Sequence, residues 1–303
     1  MVSLTQAQTG LEALIDPDAE LRQLGSGFQF TEGPAWNKAG RYLVFSDIPA
    51  DARWRWSEDG GMELIAHPTF KGNGMVYEAD GSLLVCEHVS SSVVRLKPSG
   101  ERQLLAFHYR GNYLNSPNDV VTRSDGSIYF TDPTYGRFPG RVGVGRDPEL
   151  EFRGVYRIPP GGGDLELVVA ESQFDQPNGL AFSPDESILY VDDRDGITAF
   201  DVAPDGSLSG ARVFCDHMGS NEFPGRGNPD GMKVDERGNV WCTGRGGIWV
   251  IAPDGQLLGI LETPEVSANL AFGGPDWRWL FIMSSTTVHV VETKVASAPL
   301  PFH

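Results

Sequence analysis

Six polar residues, Glu32, Asn73, Asn118, Asn178, Asp230 and Asn269, recur at intervals of 39 to 60 residues, each at the start of a similar segment. The segments read EGPAWNKAGRYLVFSD, NGMVYEADGSLLVCEH, NDVVTRSDGSIYFTDP, NGLAFSPDESILYVDD, DGMKVDERGNVWCTGR and NLAFGGPDWRWLFIMS. Brought together, these residues would crowd carboxylate and carboxamide oxygens into one place. Such oxygens are costly to bury and carboxylates repel one another, so a cation is their natural partner. Hard divalent cations take roughly six to eight oxygen ligands, whereas zinc favours His and Cys, and neither His nor Cys occupies these positions. One divalent ion is expected, with Ca2+ the first choice and Mg2+ or Mn2+ the alternatives. The competing explanation for any single position is turn chemistry, since Asn and Asp bond local amides. It gives no reason for Glu32 to share the pattern.

Each opening residue is followed by an apolar run, a polar turn and a second run rich in β-branched and aromatic residues, which is the signature of a β-hairpin. Gly40, Gly81, Gly126 and Gly238 lie eight residues past the opening residue, with Glu186 and Trp277 in their place in the fourth and sixth segments. A tight turn there calls for positive φ. Each repeat has room for about four short strands. An all-β, six-bladed β-propeller is expected, with the opening residues ringing a central channel that holds the metal. Open sheet edges are avoided by closing the ring, so a strand within residues 21–30 should pair with one around 288–292. Residues 1–303 then form one domain, with 1–20 as an N-terminal strap or short helix and 294–303 as a C-terminal tail. The Gly/Arg-rich stretch 133–152 should be a loop over one face.

The return strand of each hairpin ends on the face where its first strand began. This places Asp47, Glu87, His88, Asp132, Asp192, Asp193, Gly244, Arg245 and Ser284 around the mouth. His88 is a candidate proton carrier near neutral pH and Arg245 a candidate for holding an oxyanion or a substrate hydroxyl. Asp132 and Asp193 read as carboxylates that brace loops. Asn73, Asn118 and Asn269 are candidates to face a substrate.

The excess of 41 acidic over 24 basic residues leaves a net charge of −17, which disfavours nucleic acid and anionic membrane surfaces as partners. Cys86, Cys215 and Cys242 show no C-x-x-C spacing and are expected as thiols. The N-terminus lacks a basic stretch followed by an apolar one, so a soluble, cytoplasmic protein is expected. There is no G-x-S-x-G and no H-E-x-x-H, which removes the usual serine-hydrolase and zinc-protease signatures.

The strings FTEGPAW, NSPNDVVTRSDGSIYFTDPTYG, PNGLAFSPDESILYVDD, NPDGMKVDERGNVWCTG and NLAFGG together resemble the senescence marker protein/gluconolactonase (regucalcin-like) family, from about residue 21 to 292. The bacterial sugar-lactonase branch is the most similar, through FTDPTYG. The resemblance implies a six-bladed propeller, a Ca2+ or Zn2+ site, and hydrolysis of a small-molecule aldonolactone. It implies metal-ligand roles for Glu32, Asn178 and Asp230, and either a metal or a substrate role for Asn118. Asp230 would also be the general base, the nucleophile, or the ligand that orients a water. Two alternatives stay open: phosphotriester hydrolysis, as in the diisopropyl fluorophosphatase branch, and a propeller that binds calcium or a ligand without catalysis.

Overall fold

The computed structural model describes residues 4–5, 10–169 and 172–299. Six antiparallel sheets stand around a central channel as the blades of a propeller. Their inner strands are Thr31–Asn37, Gly72–Tyr77, Val120–Thr122, Pro177–Phe182, Met232–Val234 and Asn269–Gly273. In every blade the inner strand forms a hairpin with the next, as the repeat predicts.

Turn chemistry follows the expectation in part. Gly81, Gly126 and Gly238 take φ of 83°, 87° and 84°, and Glu186 and Trp277 adopt the same left-handed conformation at 57° and 61°. In the first hairpin it is Arg41, one residue past Gly40, that turns left-handed, at 53°.

The ring is closed by strand Arg22–Ser26, which pairs with Thr287–Glu292 in the sixth blade through Arg22–Val290 and Ser26–Thr287. The strap is more than a strap. Leu4–Thr5 adds a fifth strand to blade five opposite Leu261 and Ile260, and a single 3-10 turn spans Leu11–Ala13. At the other end of the chain, Ala296 and Ala298 bond to the backbone of Glu236 and Val234. Among the described residues no helix is long and apolar enough to cross a membrane, and all three cysteines are free.

Apolar packing lies between blades. Six clusters of buried side chains fill the six blade interfaces, and the two-residue period of a strand explains how one sheet serves two of them. In Trp279–Ser284, Leu280 and Ile282 face blade five while Phe281 and Met283 face blade one. Burying each such side chain contributes about 1.5–3 kcal/mol. The inner strands are thereby held at fixed spacing about the axis, with their first residues at one end of the channel.

Candidate active site at the channel mouth

Glu32, Asn73, Asn118, Asn178 and Asp230 line one cavity of about 570 Å3 at this end. Glu32, Asn73, Asn118 and Asn178 are buried, with 3 to 6 % exposure, and Asp230 is half-buried overall with its carboxyl enclosed. The glycines that follow four of them are required by the close approach of neighbouring blades. A Cβ on Gly33 would lie 1.9 Å from the Asn73 carbonyl oxygen, and one on Gly179 would lie 2.2 Å from that of Asp230. Hydroxyls of the second strands tie the ring together: Ser46 donates to the Asn73 carbonyl at 3.1 Å and Thr131 to that of Asn178 at 2.6 Å.

Burial sets the electrostatics. It pushes the Glu32 carboxyl up to about 7, against hydrogen bonds from Asn269 and Gly33 that stabilise the anion, with Asp119 adding repulsion. Asp230 is driven well above the carboxylate range by burial and then by the charges of Glu32 and Asp192. Asp192, fully buried, is raised for the same first reason. Among the described residues, Asn73 Oδ1, Asn178 Oδ1, Asp119 Oδ2 and Asp192 Oδ1 are buried without a hydrogen-bond partner, a cost of about 1–3 kcal/mol each. No three His, Cys, Asp or Glu side chains come together to hold a metal among these residues. The channel offers instead two carboxylates and carboxamide oxygens, a donor set that fits a hard divalent cation.

His88 lines the same cavity and is fully buried. Its ring nitrogens meet the Val142 carbonyl at 2.9 Å and Asn73 Nδ2 at 3.3 Å. With Nδ1 donating to the carbonyl, Nε2 accepts from Asn73, which turns Asn73 Oδ1 away from the histidine. Burial lowers the His88 pKa to about 4. At neutral pH it is a neutral imidazole with both ring nitrogens engaged, an arrangement that positions Asn73.

Two expectations are corrected. Asn269 does not face the cavity: its Nδ2 donates to Glu32 Oε2 at 2.8 Å and its Oδ1 accepts from Leu270 N at 2.8 Å, so the amide is used in orienting Glu32. Arg245 does not line the cavity either, because its Nε donates to the Phe223 carbonyl at 2.8 Å. The carboxylates at the mouth act as clasps, as read for Asp132 and Asp193. Asp47 accepts from Gln29 N and Phe30 N, Asp132 from Asn115 N and Ser116 N, and Asp193 from Asp175 N and Gln176 N. In each case the held amides lie two and three residues before the ring residue of that blade.

The loop 133–152 covers this face as expected and contributes Tyr135, Arg141 and Val142 to the cavity, with Arg194 alongside. None of these four was singled out from the sequence: the loop has no periodicity to aim its side chains, and Arg194 lies just past the strand end Asp193. Burial and the nearby Asp230 and Asp192 push the Tyr135 phenol up, leaving it a hydrogen-bond donor. Arg137 fastens one part of the loop to the carbonyls of Leu114 and Asn115, and Arg146 fastens another to the His88 carbonyl and Ser91 Oγ.

Residues 30–286 match the SMP-30/Gluconolactonase/LRE-like region. A gluconolactonase of Zymomonas mobilis is 32 % identical, with the alignment covering 96 % of this chain and 86 % of the relative. A 6-deoxy-6-sulfogluconolactonase of Pseudomonas putida is 34 % identical, over 89 % of this chain and 87 % of that one. The solved structure of a gluconolactonase from Xanthomonas campestris superposes with a TM-score of 0.86 at 37 % identity, covering 96 % of this chain and 94 % of the other. Ring positions, blade count and sequence agree on one conclusion: this chain belongs to the SMP-30/gluconolactonase/LRE-like family.

Proposed function

We propose that this chain is a metal-dependent lactonase that opens a sugar-type lactone, with Glu32, Asn178 and Asp230 holding one divalent cation and Asn118 completing the set or meeting the substrate. The observation that carries this reading is the convergence of two buried, mutually repelling carboxylates with unpartnered amide oxygens in one cavity. Ca2+ suits these oxygen donors best, with Zn2+, Mg2+ and Mn2+ as the alternatives. Bound there, the ion supplies a Lewis acid for the lactone carbonyl and a counter-charge for Glu32 and Asp230.

The residues of the chain do the rest. Asp230 takes a proton from the attacking water as its oxygen bonds to the carbonyl carbon. The carbon–ring-oxygen bond then breaks, and the same proton passes to the departing alkoxide, giving the open hydroxy acid. Asn73, its amide set by neutral His88, and Asn118 hold ring hydroxyls. Tyr135 donates from the loop 133–152, and Val142 adds an apolar side chain to the cavity wall. Asn269 keeps Glu32 aimed at the axis.

The test is a panel of five- and six-membered aldonolactones, followed by pH-stat on chelator-treated protein and after return of each cation. Hydrolysis should vanish with chelator and return with Ca2+ or another divalent ion. Asp230→Asn should lower turnover by about 100- to 10,000-fold. Lactone hydrolysis indifferent to chelator, or undiminished in Asp230→Asn, would overturn the mechanism. Faster turnover of a fluorophosphate than of any lactone would overturn the substrate class.

A further inference from the structure

The three arginines of the loop 133–152 are used differently. Arg137 is 3 % exposed and donates to three backbone carbonyls, those of Leu114, Asn115 and Asp147. Arg146 is likewise anchored, to the His88 carbonyl and Ser91. Both hold the loop to blades two and three. Arg141 is exposed and lines the cavity. Its guanidinium lies 4.0 Å from the centroid of Phe30, and its Nη2 donates to the Gln29 carbonyl at 3.1 Å. A guanidinium has five N–H donors, so stacking and one bond fix its position while leaving most donors for a ligand.

Charge gives the ligand's chemistry. The ionisable residues lining the cavity are Glu32, Asp230, Arg141, Arg194, Tyr135 and His88. Arg194 is paired with Asp175. A divalent ion would balance Glu32 and Asp230. Arg141 has no carboxylate partner among the described residues and remains as one positive charge facing the ligand, in a protein whose net charge is −17. A neutral lactone makes no use of that charge. The cavity, about 570 Å3, falls within the range of ordinary ligand pockets.

We propose that Arg141 is a specificity-determining residue that recognises an anionic group on the substrate, so that the preferred lactones carry a carboxylate, phosphate or sulfonate on the carbon chain outside the ring. This rests on the lactonase reading above and adds to it the residue that selects the substrate. Guanidinium and anion meet through charge-assisted hydrogen bonds, and Phe30 keeps the plane of the guanidinium fixed while they form.

Binding and turnover are measured separately. Wild type, Arg141→Gln and Arg141→Lys are titrated calorimetrically with 6-phosphogluconate and with gluconate in the presence of Ca2+, and assayed on the corresponding lactones. Wild type should bind the phosphorylated acid about 10- to 100-fold more tightly. That ratio should collapse toward one in Arg141→Gln and be kept in part in Arg141→Lys. Loosening of the loop alone would weaken both acids alike and leave the ratio in place. Equal binding of the two acids by wild type, or a ratio unchanged in Arg141→Gln, overturns the role of Arg141. Failure of wild type to open either lactone with any divalent ion overturns the lactonase reading instead, and the binding ratio still decides the role of Arg141.

Discussion

The two ends of the channel are built from the same six inner strands, yet they have opposite chemistry. At the mouth stand Glu32, Asn73, Asn118, Asn178 and Asp230. A few residues further along the same strands, Trp36, Met75, Val120, Phe182, Val234 and Phe272 line an apolar cavity of about 90 Å3 at the far end. The mouth contains unpartnered oxygens and raised carboxylates, whereas the far end is continuous with the packing between blades. Chemistry in this fold is therefore a matter of position along a strand. Polar residues cost stability at one end, and the apolar residues at the other help to offset that cost.

Substitutions at the two ends should separate stability from activity. The largest effect is expected from Phe272→Ala, which empties a site packed edge-to-face against Trp241 with ring centroids 5.7 Å apart. It should lower unfolding free energy by about 3–5 kcal/mol in denaturant titrations, with turnover per folded molecule unchanged. A loss of turnover in the folded fraction would mean that the ends are coupled.

A smaller effect comes from pH. In chelated protein Glu32 holds its proton to about pH 7, against an ordinary 4.5. Between these values the folded state binds more protons than the unfolded state. The stability from this group is complete below pH 4.5 and lost as pH rises to 7, roughly 3 kcal/mol in all. Melting temperature should fall less over that range in Glu32→Gln, and added Ca2+ should oppose the fall in wild type. His88, lowered to about 4, acts in the other sense, its contribution being lost as pH falls below 6.5 toward 4. The difference between wild type and Glu32→Gln reports the Glu32 carboxyl together with its repulsion of Asp230, and identical profiles would contradict its assignment.

The smallest effect sharpens the division within the mouth itself. Asn269→Ala removes the amide that holds Glu32 and should weaken Ca2+ binding about tenfold by calorimetry. The Michaelis constant at saturating metal should stay unchanged, because Asn269 does not line the cavity. A raised constant would return Asn269 to the substrate.

Much of this was legible in the sequence because a period survives substitution. Six hairpins with a polar opening residue define six blades, and that position in a blade brings five of the six residues to one cavity. Side-chain direction did not follow from the period. Asn269 occupies its place in the ring, but its amide is taken by Glu32 and Leu270. Arg245 lies at the expected strand end, yet the excursion that includes Phe223 gives it a carbonyl to bind. Arg141 lies in a loop whose course over the mouth depends on Arg137 and Arg146 finding carbonyls in blades three and two. The pairing of Leu4–Thr5 with blade five is too short to carry any alternation of its own.

The strand that closes the ring has a mechanical meaning. Arg22–Ser26 joins the last blade to the first part of the chain in the manner of a hoop around staves. No single blade owns the proposed metal set, since Glu32, Asn118, Asn178 and Asp230 come from four of them, and their spacing depends on the hoop being shut. A nick between Ser26 and Glu32 would leave the hoop's strand in place while freeing the first stave. Deleting residues 1–26 would remove the hoop altogether. Affinity for the proposed cation should thus gauge circumferential integrity, sensitive to damage at the rim that never touches the axis.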